Sequence, residues 1–220
     1  MEINNNEIRE NARLSLKGNW KVAILSSLVY SIVSIIGDSI PESSSIGFSI
    51  LTTISNALFI FGYTSIMLHI VRGEDTEFSE IFAQCKRFWK GLGMTLVVDI
   101  YIALWTLLLI VPGVIASIKY SMTFYIWVDN PKIGIEEAIN KSIEMTDGHK
   151  MDIFKLYLSF IGWIVLSLVP GLVVGFWFKQ YAVGIMSLGM IFLSPYIEVS
   201  MGTFYNTLVK ETKSQLTLEE

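Results

Sequence analysis

Charged residues are scarce in this chain of 220 residues: they make up 16% of it, while hydrophobic residues make up 52% and the mean hydropathy is +0.54. A soluble domain carries about 25% charged residues, so these values exclude that class and indicate an integral membrane protein. Cys85 is the single cysteine, which excludes an internal disulfide. The formal net charge of −4 argues against a nucleic-acid partner.

The motifs of common enzymes are also missing. There is no phosphate-binding loop, no His-Glu-x-x-His and no Gly-x-Ser-x-Gly in the chain. Two histidines and one cysteine, none at ligand spacing, do not form a metal site. We therefore expect a non-enzymatic protein without a metal or another cofactor.

Long apolar segments dominate what is present. A helix needs about 20 apolar residues to cross a bilayer, and six segments approach or exceed that length. The fourth is the shortest, at about sixteen residues, so it either crosses the membrane or enters and returns. The pattern predicts an all-α membrane protein with about six transmembrane helices in three hairpins, formed by residues 20–37, 48–71, 91–111, 113–128, 153–178 and 181–209.

A short amphipathic helix is predicted before each hairpin. The three stretches are residues 2–17, 76–89 and 132–147, each with apolar residues at helical spacing. Pro131 is suited to the start of the third helix, and Gly148 is suited to end it. We expect these helices to lie on the cytoplasmic membrane surface.

The positive charges predict the orientation. Lysine and arginine in short loops are retained in the cytoplasm, and fourteen of the sixteen lie at alternate ends of the predicted spans. The exceptions are Lys119 and Lys179. We therefore predict a multi-pass protein of the cytoplasmic membrane with both termini in the cytoplasm.

The same layout predicts an internal repeat within a single membrane domain. An amphipathic helix followed by a hairpin occurs at residues 2–72, 75–129 and 131–210, and residues 211–220 form a short polar tail. Parallel repeats of this kind can enclose a central site.

Three ionisable residues fall inside predicted spans: Asp99, Lys119 and Glu198. A charge at the bilayer centre costs about 2.5–3.5 kcal/mol on insertion scales, so each requires a partner or a wet cavity. They form either a structural charge network or a polar cavity for a lipid headgroup or peptide. The polar residues expected to share that cavity are Ser27, Ser31, Ser34 and Asn56.

Prolines interrupt several spans. Pro112-Gly113, Pro170-Gly171 and Pro195 are predicted as turns and kinks, because proline removes one helical hydrogen bond. They are structural positions and not ligand sites.

A family resemblance rests on motifs that extend over nearly the whole chain. They are Pro112-Gly113, Tyr120-Ser121, Tyr125, Asp129-x-Pro131, Ala138-Ile139-x-x-Ser142-x-x-Met145-x-x-Gly148-x-Lys150, Leu158-Ser159-Phe160-Ile161-Gly162-Trp163, Pro195-Tyr196 and Phe204-Tyr205. Together they resemble the bacterial membrane family called domain of unknown function 975. The resemblance implies a multi-pass protein of the bacterial inner membrane, with no established activity and therefore no catalytic residues to assign. Between Trp163 and Pro195 this chain is longer than the family pattern.

Two functions remain open at this point. The first is a protein that binds or moves an amphiphile, such as a membrane lipid or a membrane-active peptide, in the cavity of Asp99, Lys119 and Glu198. The second is an accessory protein for another membrane protein, including bacteriocin immunity, that acts through the amphipathic helices at 76–89 and 132–147.

Overall fold

The computed structural model describes residues 3–38, 46–177 and 179–219 and is helical, with no strand in these ranges, which confirms the all-α class. The helices are α1 (Asn5–Leu16), α2 (Trp20–Asp38), α3 (Ile46–Arg72), a 3₁₀ helix (Phe78–Arg87), α4 (Phe88–Leu108), α5 (Ile110–Tyr120), α6 (Thr123–Asp129), α7 (Ile135–Thr146), α8 (Lys150–Trp177) and α9 (Lys179–Glu219).

Two helices in the described ranges are long and apolar enough to cross a membrane. The stretches are Trp89–Leu108 and Lys150–Val174, and only 17% and 11% of their apolar windows are buried inside the protein. Exposed apolar surface of this extent is stable only in apolar surroundings. These helices suggest a membrane protein, while the count of six spans stays a prediction.

Two apolar clusters hold the helices together. The larger contains the buried side chains of α1, α3, α6, α8 and α9, with Phe61, Trp127, Phe160 and Phe204 among its largest members. The smaller joins α4, α5 and α7 through Val98, Ala116, Tyr120 and Ile139. The larger cluster also contains Met94, Ile118 and Ala138, so α4, α5 and α7 pack against the main bundle as well.

The first and third of the predicted amphipathic helices occur, as α1 and α7, but their apolar faces are covered by the protein itself. In α1 the buried stripe is Ile8, Ala12 and Leu16, and α1 packs along α9. In α7 the buried residues include Ala138 and Ile139, which face α4, α5 and α6. The third helix begins at Ile135 rather than at 132, and the middle one is the 3₁₀ helix Phe78–Arg87.

Glycine ends α1 and α7 in the same way. Gly18 and Gly148 have φ of +99° and +81°, which glycine adopts without steric cost, so the predicted role of Gly148 is confirmed. The backbone N–H of the next residue donates to the last residue of the helix, at 2.9 Å and 3.1 Å respectively. At the turn after α7, the Lys150 ammonium donates to the Asp147 carboxylate and lowers the pKa of Asp147. The turns that follow α1 and α7 therefore have the same conformation, as expected for two of the three predicted repeats. The threefold repeat itself stays a prediction.

The central hairpin turns at Leu109, three residues before the predicted turn at Pro112-Gly113. Leu109 has extended backbone, with φ −162° and ψ 151°. Pro112 lies in the first turn of α5, where its missing N–H removes no helical hydrogen bond. A Cβ on Gly113 would lie 2.3 Å from the Thr106 hydroxyl oxygen, so Gly113 allows α4 and α5 to approach closely.

The other predicted breaks lie inside continuous helices. Pro170 is within α8, together with Gly171, and Pro195 is within α9. Each proline removes one backbone N–H, but both helices continue past it. Helix α9 also extends through the predicted polar tail as far as Glu219.

The fourth predicted span is two helices, α5 and α6, that meet at Ser121-Met122. Neither is long enough to cross a bilayer of about 30 Å alone. The Ser142 hydroxyl on α7 bridges the break: it donates to the Lys119 carbonyl at 2.7 Å and accepts from the Met122 N–H at 3.2 Å. A single side chain thus satisfies both backbone groups released where the helix is interrupted.

Candidate functional site

Glu198 of α9 is an ionisable residue that is hydrogen-bonded by a buried tyrosine. The Tyr125 hydroxyl of α6 donates to its carboxylate at 2.7 Å and approaches its backbone carbonyl at 3.3 Å. Tyr125 is 4% exposed, whereas Glu198 is half-buried. One donor leaves most of the lone-pair positions of the carboxylate unused, so Glu198 can accept a further donor on its open side.

A second tyrosine lies between α2, α3 and α9. The hydroxyl of Tyr63 is 3.0 Å from that of Ser27, and its ring stacks on Tyr30 at 5.5 Å. Tyr63 also hydrogen-bonds Ser194, which is four residues before Glu198 and therefore on the same face of α9. Ser27 and Glu198 thus each contact a buried tyrosine, and the polar cavity that they were expected to share stays a prediction.

Polar contacts continue from Glu198 to the end of α3. The Tyr125 ring stacks on Tyr205 at 5.5 Å, and the Tyr205 hydroxyl donates to Asp129 at 2.8 Å. Both carboxylate oxygens of Asp129 accept from the Arg72 guanidinium at 2.7 Å. Charge-assisted pairs of this two-bond form fix the relative position of their helices, here α3 and α6. We call Tyr125, Tyr205, Asp129 and Arg72 the polar ladder.

Asp99 and Lys119 do not join Glu198. Asp99 is on an exposed face of α4, and in the described part of the chain it has no ion pair with Lys119. Lys119 lies beside α7 instead, because its backbone carbonyl accepts a hydrogen bond from Ser142 of that helix. Ser31 is half-buried on α2, and the side chains of Ser34 and Asn56 lie outside those described.

Sequence reasoning missed the tyrosine partners of Glu198. In the sequence, Tyr125 belongs to an aromatic run with Tyr120, Phe124 and Trp127, and such a run is typical of packing or of the membrane interface. A signal was available, because a buried tyrosine hydroxyl in apolar surroundings requires a hydrogen-bond partner. Helical spacing could not identify that partner, because Glu198 is 73 residues away from Tyr125 in the chain.

The chemistry available here is binding of a polar or cationic group. Among the described residues, no three His, Cys, Asp or Glu side chains stand together in an arrangement that could hold a metal ion. Glu198 and Tyr125 provide one carboxylate and one hydroxyl at the edge of an apolar bundle. Such a pair can orient an ammonium or hydroxyl group of a ligand.

Comparison with known proteins identifies a family and no closer relative. The family model described as "Protein of unknown function (DUF975)" matches residues 1–118 and 107–212. No curated protein and no solved structure matches the chain. The two matched regions together cover nearly all of the sequence, so the chain belongs to the DUF975 family of proteins of unknown function.

Proposed function

We propose that this protein binds or moves an amphiphile, a lipid or a membrane-active peptide, and that Glu198 contacts its polar end. The observation that carries the proposal is the half-buried Glu198 carboxylate, which has the Tyr125 hydroxyl as its hydrogen-bond donor. A carboxylate among apolar helices is costly, and such residues commonly mark the path of a ligand or ion. A cationic group on the amphiphile would offset that cost.

The packing of α7 favours this proposal over the accessory role. An accessory helix needs an exposed apolar face, yet Ala138 and Ile139 of α7 are buried against α4, α5 and α6. The accessory role retains one surface: Phe82 of the 3₁₀ helix and Trp89 of α4 are 50% and 78% exposed. We therefore keep it as the second candidate, limited to that surface.

Native mass spectrometry of the purified protein, with gentle removal of detergent, tests the amphiphile proposal. Glu198→Gln keeps an acceptor for Tyr125 but removes the charge, so we expect the fraction of protein with bound amphiphile to fall about tenfold. Asp99→Asn is the matched control, because it removes a carboxylate that lies apart from the tyrosines, and it should leave the bound fraction unchanged. A ligand-free mass in the wild type, or equal bound fractions in wild type and Glu198→Gln, would refute the proposal.

The proposed placement has six spans with both termini in the cytoplasm, supported by the distribution of positive charge. In a Cys85→Ser background, Leu109→Cys places a thiol at the tip of the central hairpin and Lys141→Cys places one on α7. We expect a membrane-impermeant maleimide to label Leu109→Cys in intact cells and Lys141→Cys only after permeabilisation. Labelling of Lys141→Cys in intact cells would overturn this orientation.

A further inference from the structure

An open pocket of about 500 Å³ lies where α6 ends and α7 begins. Two lysines, Lys132 and Lys141, and two carboxylates, Asp129 and Glu137, line it together with residues 130, 131 and 133. We call it the α6–α7 pocket. It is separate from the tyrosines around Glu198, and four of its lining residues carry charge.

The charge of the α6–α7 pocket is positive. Both oxygens of Asp129 are bound by Arg72, so this carboxylate is neutralised within the protein. Lys132 and Lys141 have no ion-pair partner among the described residues, and within the lining of this pocket Glu137 is the carboxylate that offsets them. Glu136 and Glu144 lie in a neighbouring groove, which Lys141 also lines. Two ammonium groups against one carboxylate favour an anionic ligand.

Arg87, which lies just before a candidate membrane span, holds one wall of the pocket in place. The Arg87 guanidinium donates to the carbonyl of Pro131 and lies 3.8 Å from the centre of the Trp127 ring. Arg87 directly precedes α4, in which the apolar stretch Trp89–Leu108 begins two residues later. Trp89 is 78% exposed, as is typical of an aromatic residue at the membrane interface. The pocket is therefore at the level of lipid headgroups.

We propose that the α6–α7 pocket binds the phosphate of an anionic phospholipid headgroup, with Lys132 and Lys141 donating to its oxygens. Anionic lipids are concentrated in the cytoplasmic leaflet, and basic pockets between membrane helices on that side hold their headgroups. The proposal requires the membrane placement described above but not ligand binding at Glu198. This phospholipid binds at the membrane surface, at a different site from the amphiphile that contacts Glu198.

Titration of the full chain in detergent with short-chain phosphatidylglycerol and, separately, phosphatidylcholine tests this site, with bound lipid counted by native mass spectrometry. We expect the wild type to bind phosphatidylglycerol on the order of tenfold more tightly than phosphatidylcholine. In the Lys132→Gln, Lys141→Gln variant that preference should disappear. Lys17→Gln, Lys21→Gln is the matched control: it removes the same charge from two exposed lysines near the start of the chain and should keep the preference.

Three results would overturn the proposal. They are equal affinity for both lipids in the wild type, an equal loss in both double variants, and displacement of phosphatidylglycerol by millimolar inorganic phosphate, which would assign the site to a soluble anion. Glu198→Gln should keep the preference for phosphatidylglycerol, because Lys132 and Lys141 are unaltered in that variant, even though the amphiphile bound at Glu198 is lost. Failure here is therefore distinguishable from failure of the amphiphile proposal.

Discussion

Replacement of Gly62 by alanine should lower the free energy of unfolding by about 3 kcal/mol, the upper part of the range for overpacking a closely fitted contact. A Cβ at Gly62 would lie 2.0 Å from the carbonyl oxygen of Ile81 and 2.8 Å from its Cα. These are backbone atoms, which cannot rotate away as a side chain does. The 3₁₀ helix that contains Ile81 must therefore move away from α3.

Thermal unfolding of the purified protein in detergent measures this effect. Gly162→Ala is the matched control, because Gly162 is also inside a long helix but a Cβ there meets no atom within 4 Å. That variant should be unchanged or more stable, since alanine is the better helix former by about 1 kcal/mol. Equal melting temperatures for the two variants would show that α3 and the 3₁₀ helix are not packed as described.

Arg72 and Asp129 should show the strongest coupling of the ion pairs in the described ranges. Their side chains are 29% and 20% exposed, so the 3–5 kcal/mol expected on breaking a buried pair must be discounted for solvent, to about 2 kcal/mol. A double-mutant cycle with Arg72→Met and Asp129→Asn measures the coupling by unfolding. Asp129→Asn retains an acceptor for Tyr205, which limits the loss to the charge pair.

The pair Asp147 and Lys150 provides the comparison for that cycle. It also joins an aspartate to a cation, but the Asp147 side chain is 74% exposed and both residues belong to one corner of the chain. Solvent screening should leave no measurable coupling in the matching cycle. If Arg72 and Asp129 were as weakly coupled, the polar ladder would not hold α3 against α6.

Features set by local pattern could be predicted from the sequence. The four-residue spacing of Ile8, Ala12 and Leu16 predicts the buried face of α1, and Gly148 ends α7 because only a residue tolerant of positive φ fits there. Glu198 is singled out in the sequence because a carboxylate inside an apolar run has few stable environments, and its role as a ligand contact stays a prediction. In each case the physical constraint is contained within a few neighbouring residues.

Features set by distant parts of the chain could not be predicted. The chain turns at Leu109 and not at Pro112 as expected. Pro112 did not identify the turn because proline is tolerated in the first turn of a helix as well as in a loop. The sequence predicts that Lys119 shares a cavity or a charge network with Asp99 and Glu198, but α7 packs against α5, and its Ser142 hydroxyl donates to the Lys119 carbonyl. Hydropathy gives the depth of a residue and not the direction in which its side chain points.

The Ser142 hydroxyl that bridges α5 and α6 also fixes an order of events during synthesis. The bend at Ser121-Met122 emerges from the ribosome 20 residues before the hydroxyl that accepts from the Met122 N–H. In an apolar environment, a backbone N–H and carbonyl without partners are strongly disfavoured, so until α7 arrives this stretch is more stable as one continuous helix. The central hairpin therefore reaches its final shape only after α7 has formed.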